Sequence, residues 1–148
     1  DRSVSRGLGD VYKRQVEELG LTHVRLVHAR AEDGARNPEH RERYDLAVAR
    51  AVAPLPVLCE LMLPFVAVGG RMLCYKGPAA QDELEAGGRA ARMLGGGALE
   101  VLPADVPGQP DWRHIIVACR KKEKTVRQYP RKAGTPGRAP LGMGNTKK

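Results

Sequence analysis

Apolar positions fall along the chain in short blocks separated by glycine, proline and charge, and the spacing inside each block predicts alternating strands and helices. Gln15 to Leu19 reads as the end of a helix stopped at Gly20, whose missing Cβ suits a left-handed turn. Val24 to His28 predicts a short strand, and Asn37 to Arg43 a brief polar helical turn. Tyr44 to Ala49 (YDLAVA) is apolar on consecutive positions, the pattern of a strand covered on both faces. Leu55 to Val66 reads as a buried helix, and Gly69-Gly70 as a turn into a strand at Arg71 to Tyr75. A second helix is expected over Ala80 to Leu94, with Asp82, Glu83 and Glu85 early and Arg89 and Arg92 late, a polarity that suits the helix dipole. Gly87-Gly88 weakens its middle by roughly 1 kcal/mol per glycine. The Gly95 to Gly97 run stops it, and Ala98 to Pro103 and His114 to Cys119 are the last two strands.

Strands that alternate with helices imply an α/β fold with a mostly parallel sheet and right-handed crossovers. The last two strands have no helix between them and so should form an antiparallel hairpin. That ending disfavours a doubly wound dinucleotide-binding domain.

The chain has 148 residues, enough for a single core, and its aromatic content is only 4%, so Leu, Val and Ala must fill that core. Its longest apolar stretch, Leu55 to Val68, is broken by Pro56, Glu60 and Pro64 and is too short to span a bilayer. The polar N-terminus does not read as a secretory signal. A cytoplasmic protein is expected. Cys59, Cys74 and Cys119 are widely spaced within apolar runs and read as reduced core thiols rather than metal ligands. His23, His28, His40 and His114 lack ligand spacing and are assigned no chemistry.

Charge changes the picture at the C-terminus. Residues Arg120 to Lys148 carry ten Lys and Arg against the single acid Glu123, whereas the rest of the chain is near neutral within a net charge of +8. A basic arm on a neutral body points to a polyanionic partner.

Five local sequences in order carry a resemblance: ELGL at Glu18 to Leu21, HARAED at His28 to Asp33, YDLAVARAVAPL at Tyr44 to Leu55, LPFVAVGGRMLCYKG at Leu63 to Gly77 and YPRKAGTP at Tyr129 to Pro136. Together they resemble the 16S rRNA guanine-N7 methyltransferase family, also called the glucose-inhibited division protein B family. The resemblance covers about residues 15 to 141. It implies a class I (Rossmann-like) methyltransferase sheet, S-adenosyl-L-methionine as cofactor, and the 16S rRNA of the small ribosomal subunit as partner. It also implies that the first two strands and the glycine-rich cofactor loop are lacking, because Gly7-Leu8-Gly9-Asp10 follows no apolar strand. The chain then reads as a fragment. Residues 1–14 match nothing in the family and read as foreign sequence or a sequencing artefact, 15–120 as a partial catalytic domain, and 121–148 as a basic RNA-binding arm and tail.

The resemblance places Ala31 and Glu32 against the adenine of the cofactor; their plain alternative is the start of a loop. Arg50 ends the YDLAVA strand, where an unpaired charge is costly. The resemblance makes it a cofactor-binding arginine, and a salt bridge to Asp45 or Glu32 is the alternative. Lys76, at the end of the next strand, is expected on RNA, with Gly77 allowing close approach; a plain strand-end lysine is the equal alternative. In the arm, Arg127, Arg131 and Lys132 would neutralise phosphates and Tyr129 would offer a stacking face, while Gly134 and Pro136 shape the loop. Arg120, Lys121, Lys122 and Lys124 read as general phosphate contacts.

Guanine N7 carries a lone pair and no hydrogen, so direct in-line attack on a sulfonium methyl needs no general base. Alignment and exclusion of water are then the enzyme's contribution. That fits a chain without a nucleophile–base constellation. A non-enzymatic RNA-binding α/β module and a nucleotide-dependent oxidoreductase are the competing classes, the second disfavoured by the antiparallel ending and the basic arm.

Overall fold

The computed structural model describes residues 2–50 and 53–144. Ala51 and Val52 of the YDLAVARAVAPL motif and the last four residues of the basic tail lie outside them. The chain divides into two compact units, Asp1–Arg30 and Ala31–Lys148.

The first unit is built on α1 (Arg2–Glu18), followed by Gly20 at φ 64°. The left-handed stop expected at Gly20 is therefore present. The strand expected at Val24 to His28 is not: these residues have no regular secondary structure and belong to no sheet. A strand exists only where a neighbour completes its hydrogen-bond ladder, and none is available here among the described residues.

The second unit opens with α2 (Ala31–Arg36), a helix for which no element was predicted, followed by turns rather than the helical turn expected over residues 37–43. Then come β1 (Tyr44–Arg50), α3 (Leu55–Met62), a 3₁₀ turn (Leu63–Phe65) and β2 (Val66–Lys76). A second 3₁₀ segment (Pro78–Glu83) leads into α4 (Leu84–Met93), β3 (Gly96–Pro103), β4 (Ile115–Lys121) and α5 (Thr135–Arg138). The sheet order is β1-β2-β4-β3. β1 pairs parallel with β2, whereas β4 lies antiparallel to both β2 and β3. The hairpin predicted from the missing crossover helix is present, with its second strand inserted beside β2.

One face of this sheet carries the core. Leu55, Leu58, Cys59 and Met62 of α3 pack with Ala90, Ala91 and Leu94 on Met72, Cys74, Val117 and Cys119. The glycine at position 87 serves this packing. A Cβ there would stand 2.9 Å from that of Leu55, so Gly87 lets α4 approach α3 at the price of helix propensity. The long helix expected from Ala80 instead begins as 3₁₀ over Pro78–Glu83, and the Glu83 carboxylate at its end accepts a hydrogen bond from the Leu55 N–H at the start of α3 (3.1 Å). All three cysteines are free and buried. Burial raises their thiol pKa values, that of Cys74 to about 11, so they remain protonated core groups.

The opposite face differs from expectation. β1 was predicted to be covered on both sides, yet Leu46 is 52% and Val48 69% exposed. Within the described residues of the second unit no helical layer lies over these side chains. A cavity of about 380 Å³ runs beside β1, lined by Ala31, Leu46, Ala49, Leu58 and Phe65 among others.

Candidate functional site

Open α/β sheets bind ligands at the carboxyl ends of their parallel strands. Here that rim is formed by the ends of β1 and β2, and register brings Arg50 directly opposite Tyr75. The Arg50 guanidinium is exposed and stands 5.8 Å from the centre of the Tyr75 ring, a cation–π distance. Lys76, one residue on, points to the other face. It is buried, donates to the Ala53 carbonyl (2.8 Å) and pairs with Glu83 (2.9 Å). Lys76 is thus engaged within the protein: with Glu83 it holds Ala53 and the start of α3. Ala31 does not follow a sheet strand, but opens α2 and borders the cavity beside β1.

The arm is not a loose tail. Residues 122–144 fold back on the second unit through a set of charged anchors. Glu60, fully buried on α3, accepts from the Arg131 backbone N–H (2.9 Å) and from Nε (3.0 Å) and Nη2 (2.8 Å) of the same residue. That hydrogen bonding holds the Arg131 guanidinium pKa above its ordinary value. Glu32, also buried, accepts from the Gly134 N–H (3.0 Å). Gly134 reaches it at φ 86°, a conformation costly for any residue with a Cβ, and serves as N-cap of α5. Arg41 donates to the carbonyls of Tyr129 (2.7 Å) and Thr125 (2.9 Å), and Arg36 to that of Pro130 (3.0 Å).

Several expected contacts change role accordingly. The Tyr129 ring lies in the hydrophobic core, so its face is closed to a base. Pro136 is fully buried within α5, and Arg131 is spent on Glu60. Lys121, expected on phosphate, is fully buried and held by the Leu63 (2.7 Å) and Val66 (3.0 Å) carbonyls and by Glu42 (3.3 Å). Burial lowers its pKa, with Glu42 opposing that shift. Arg127 and Lys132 remain exposed, as do Arg120, Lys122 and Lys124. Sequence reading missed the carboxylates that organise all this, Glu42, Glu60 and Glu83. For Glu60 a signal existed: a lone acid inside the apolar run LPVLCELM needs a buried cation.

A parallel pair followed by an inserted antiparallel strand is the architecture of a Rossmann-like methyltransferase sheet, here in partial form. A solved rRNA methylase from Streptococcus thermophilus superposes with a TM-score of 0.51 at 20% identity, covering 80% of this chain and 69% of that one. Residues 12–109 match the family model for rRNA small subunit methyltransferase G, and the chain belongs to this family. Proteins called ribosomal RNA small subunit methyltransferase G are 49% identical over 126 residues in Leuconostoc mesenteroides subsp. mesenteroides and 49% over 125 in Deinococcus deserti. One in Lactobacillus acidophilus is 45% identical over 129 residues. These matches take in 84% to 87% of this chain but 51% to 53% of the relatives. The chain spans about half the length of the curated relatives it matches.

Proposed function

We propose that the chain is the part of an S-adenosyl-L-methionine-dependent methyltransferase that holds one side of the cofactor and presents an arm to 16S rRNA of the small ribosomal subunit, for methylation at a guanine N7. The observation that carries this reading is Arg50, an exposed guanidinium at the carboxyl rim of β1 beside the end of β2, in a chain of this family.

The residues present fit part of the cofactor. Arg50 is free to take a carboxylate bidentately, and Ala31 borders a cavity next to the same strand. No glycine-rich cradle for the methionine part lies among the described residues. When bound, the cofactor would supply an electrophilic methyl on a sulfonium. The chain's own contributions are positional. Glu83 and Lys76 fix the loop after β1, and Glu32, through Gly134, ties the arm beside α2. With no proton to remove from N7, alignment is the contribution the reaction needs. Arg127 and Lys132 are the arm's open phosphate contacts.

Calorimetric titration with S-adenosyl-L-methionine tests this. Weak binding is expected from a chain without the glycine-rich loop, abolished by Arg50→Ala. Preferential binding of a nicotinamide nucleotide, or cofactor binding indifferent to Arg50→Ala, would overturn it.

A further inference from the structure

The face of the sheet that α3 and α4 leave open carries a file of flat groups at its carboxyl rim. Arg50 stands over Tyr75, and Tyr75 stacks on His114 with ring centres 5.0 Å apart and planes 6° from parallel. His114 in turn meets Trp112 at 5.5 Å and 52°. Register explains the alignment. Arg50 is opposite Tyr75 across the parallel pair, and Tyr75 is opposite Ile116 across the antiparallel one, so His114 is its diagonal neighbour on the same face.

Two features separate this file from ordinary packing. The Nδ1 atom of His114 is buried with no hydrogen-bond partner, so ring contacts rather than polar bonds hold the imidazole. Trp112, the only tryptophan in the chain, is 45% exposed at the outer end. It is not on a loose tip. The connection between β3 and β4 is closed at its base by the Ala104 N–H bonding the His114 carbonyl (3.0 Å), and the Trp112 N–H bonds the Gln109 carbonyl (3.1 Å). An indole held open at the end of a stack, on the rim beside the candidate cofactor arginine, has the form of a platform for one more planar ring.

We propose that Trp112, backed by His114 and Tyr75, is a stacking site for an unpaired RNA base. Stacking suits this position because it reads a π-face and needs no hydrogen-bonding edge. The flanking Asp111 and Arg113 balance in charge, so the loop itself is not a phosphate contact. Phosphates fall to the arm. This assignment rests on the methyltransferase reading and adds where a base is held.

The single tryptophan makes the test direct. Emission of the full chain is followed while a short single-stranded RNA containing guanine is added, and the same RNA with that nucleotide abasic serves as control. Overall binding is read separately by anisotropy of a dye on the RNA. Quenching by the intact RNA but not by the abasic one is expected, and His114→Ala should weaken the quench. Trp112→Ala should lower RNA affinity on the order of tenfold, the loss of one stacked base. Trp112→Phe keeps an aromatic face and should recover most of that affinity, which a purely structural tryptophan would not require. Binding that leaves emission unchanged, or equal quenching by both RNAs, overturns the platform while leaving the methyltransferase reading intact. Failure to bind any RNA also overturns it, and the cofactor titration then judges the methyltransferase reading on its own.

Discussion

Arg131 and Arg50 are the same residue type, each lies within a conspicuous motif, and each was expected to touch a ligand. Their surroundings are opposite. Arg131 delivers two side-chain hydrogen bonds to a carboxylate that no water reaches, and its own backbone N–H adds a third. Arg50 faces solvent with only the Tyr75 ring beneath it. The same contrast separates Lys121, enclosed by two carbonyls and Glu42, from Lys132, which is open. Basic residues in this chain thus divide into rivets, which attach the arm and the last strand, and free charges, which remain for a ligand. Composition alone cannot separate the two groups.

Breaking the rivets should give the largest effects. Arg131→Ala strips the buried Glu60 of its cation and should cost about 3 kcal/mol, measured as a lower urea midpoint, with the arm becoming cleavable in limited proteolysis. Arg131→Lys should recover only part of this, because an ammonium cannot match the bidentate geometry. An arm that stays protease-resistant in Arg131→Ala would refute the rivet assignment. Lys121→Ala removes the buried ammonium that the Leu63 and Val66 carbonyls and Glu42 share, leaving Glu42 only the Thr125 N–H nearby, and should cost roughly 2 kcal/mol on the same scale. Next comes Arg50→Ala. Its stability should stay within about 0.5 kcal/mol of the parent, since the group is exposed, while cofactor binding is lost. The smallest effect belongs to Lys132→Ala and Arg127→Ala. Each should leave stability untouched and reduce the slope of log affinity for RNA against log salt by about one. If Arg131→Lys, with its fold retained, altered that slope as much as Lys132→Ala does, the division between rivet and free charge would fail.

What could be read from the sequence follows from how local its cause is. β1, α3 and the final hairpin announce themselves through apolar runs and turn residues, and the antiparallel ending was legible from the missing crossover helix. Val24 to His28 has the composition of a strand but no partner to pair with, and a ladder is not a local property. Glu83 reads as an ordinary first-turn acid, whereas its carboxylate serves α3, a contact 28 residues away in the chain. At the site, Arg50 was found at the strand end where the motif put it. Lys76, Tyr129 and Arg131 were given to RNA because a motif names residues without saying which way they face. Lys76 and Arg131 turn inward to buried or half-buried acceptors, and the Tyr129 ring packs into the core.

The free edge of β1 has a practical consequence. Among the described residues this strand pairs only with β2, and its outward Leu46 and Val48 leave an apolar ribbon beside unsatisfied backbone groups. Such a ribbon is a template for another strand, so two copies of the chain can zip together there. Self-association should rise with protein concentration despite the net charge of +8, and Val48→Lys should suppress it by making that edge hostile to self-pairing, as light scattering would show.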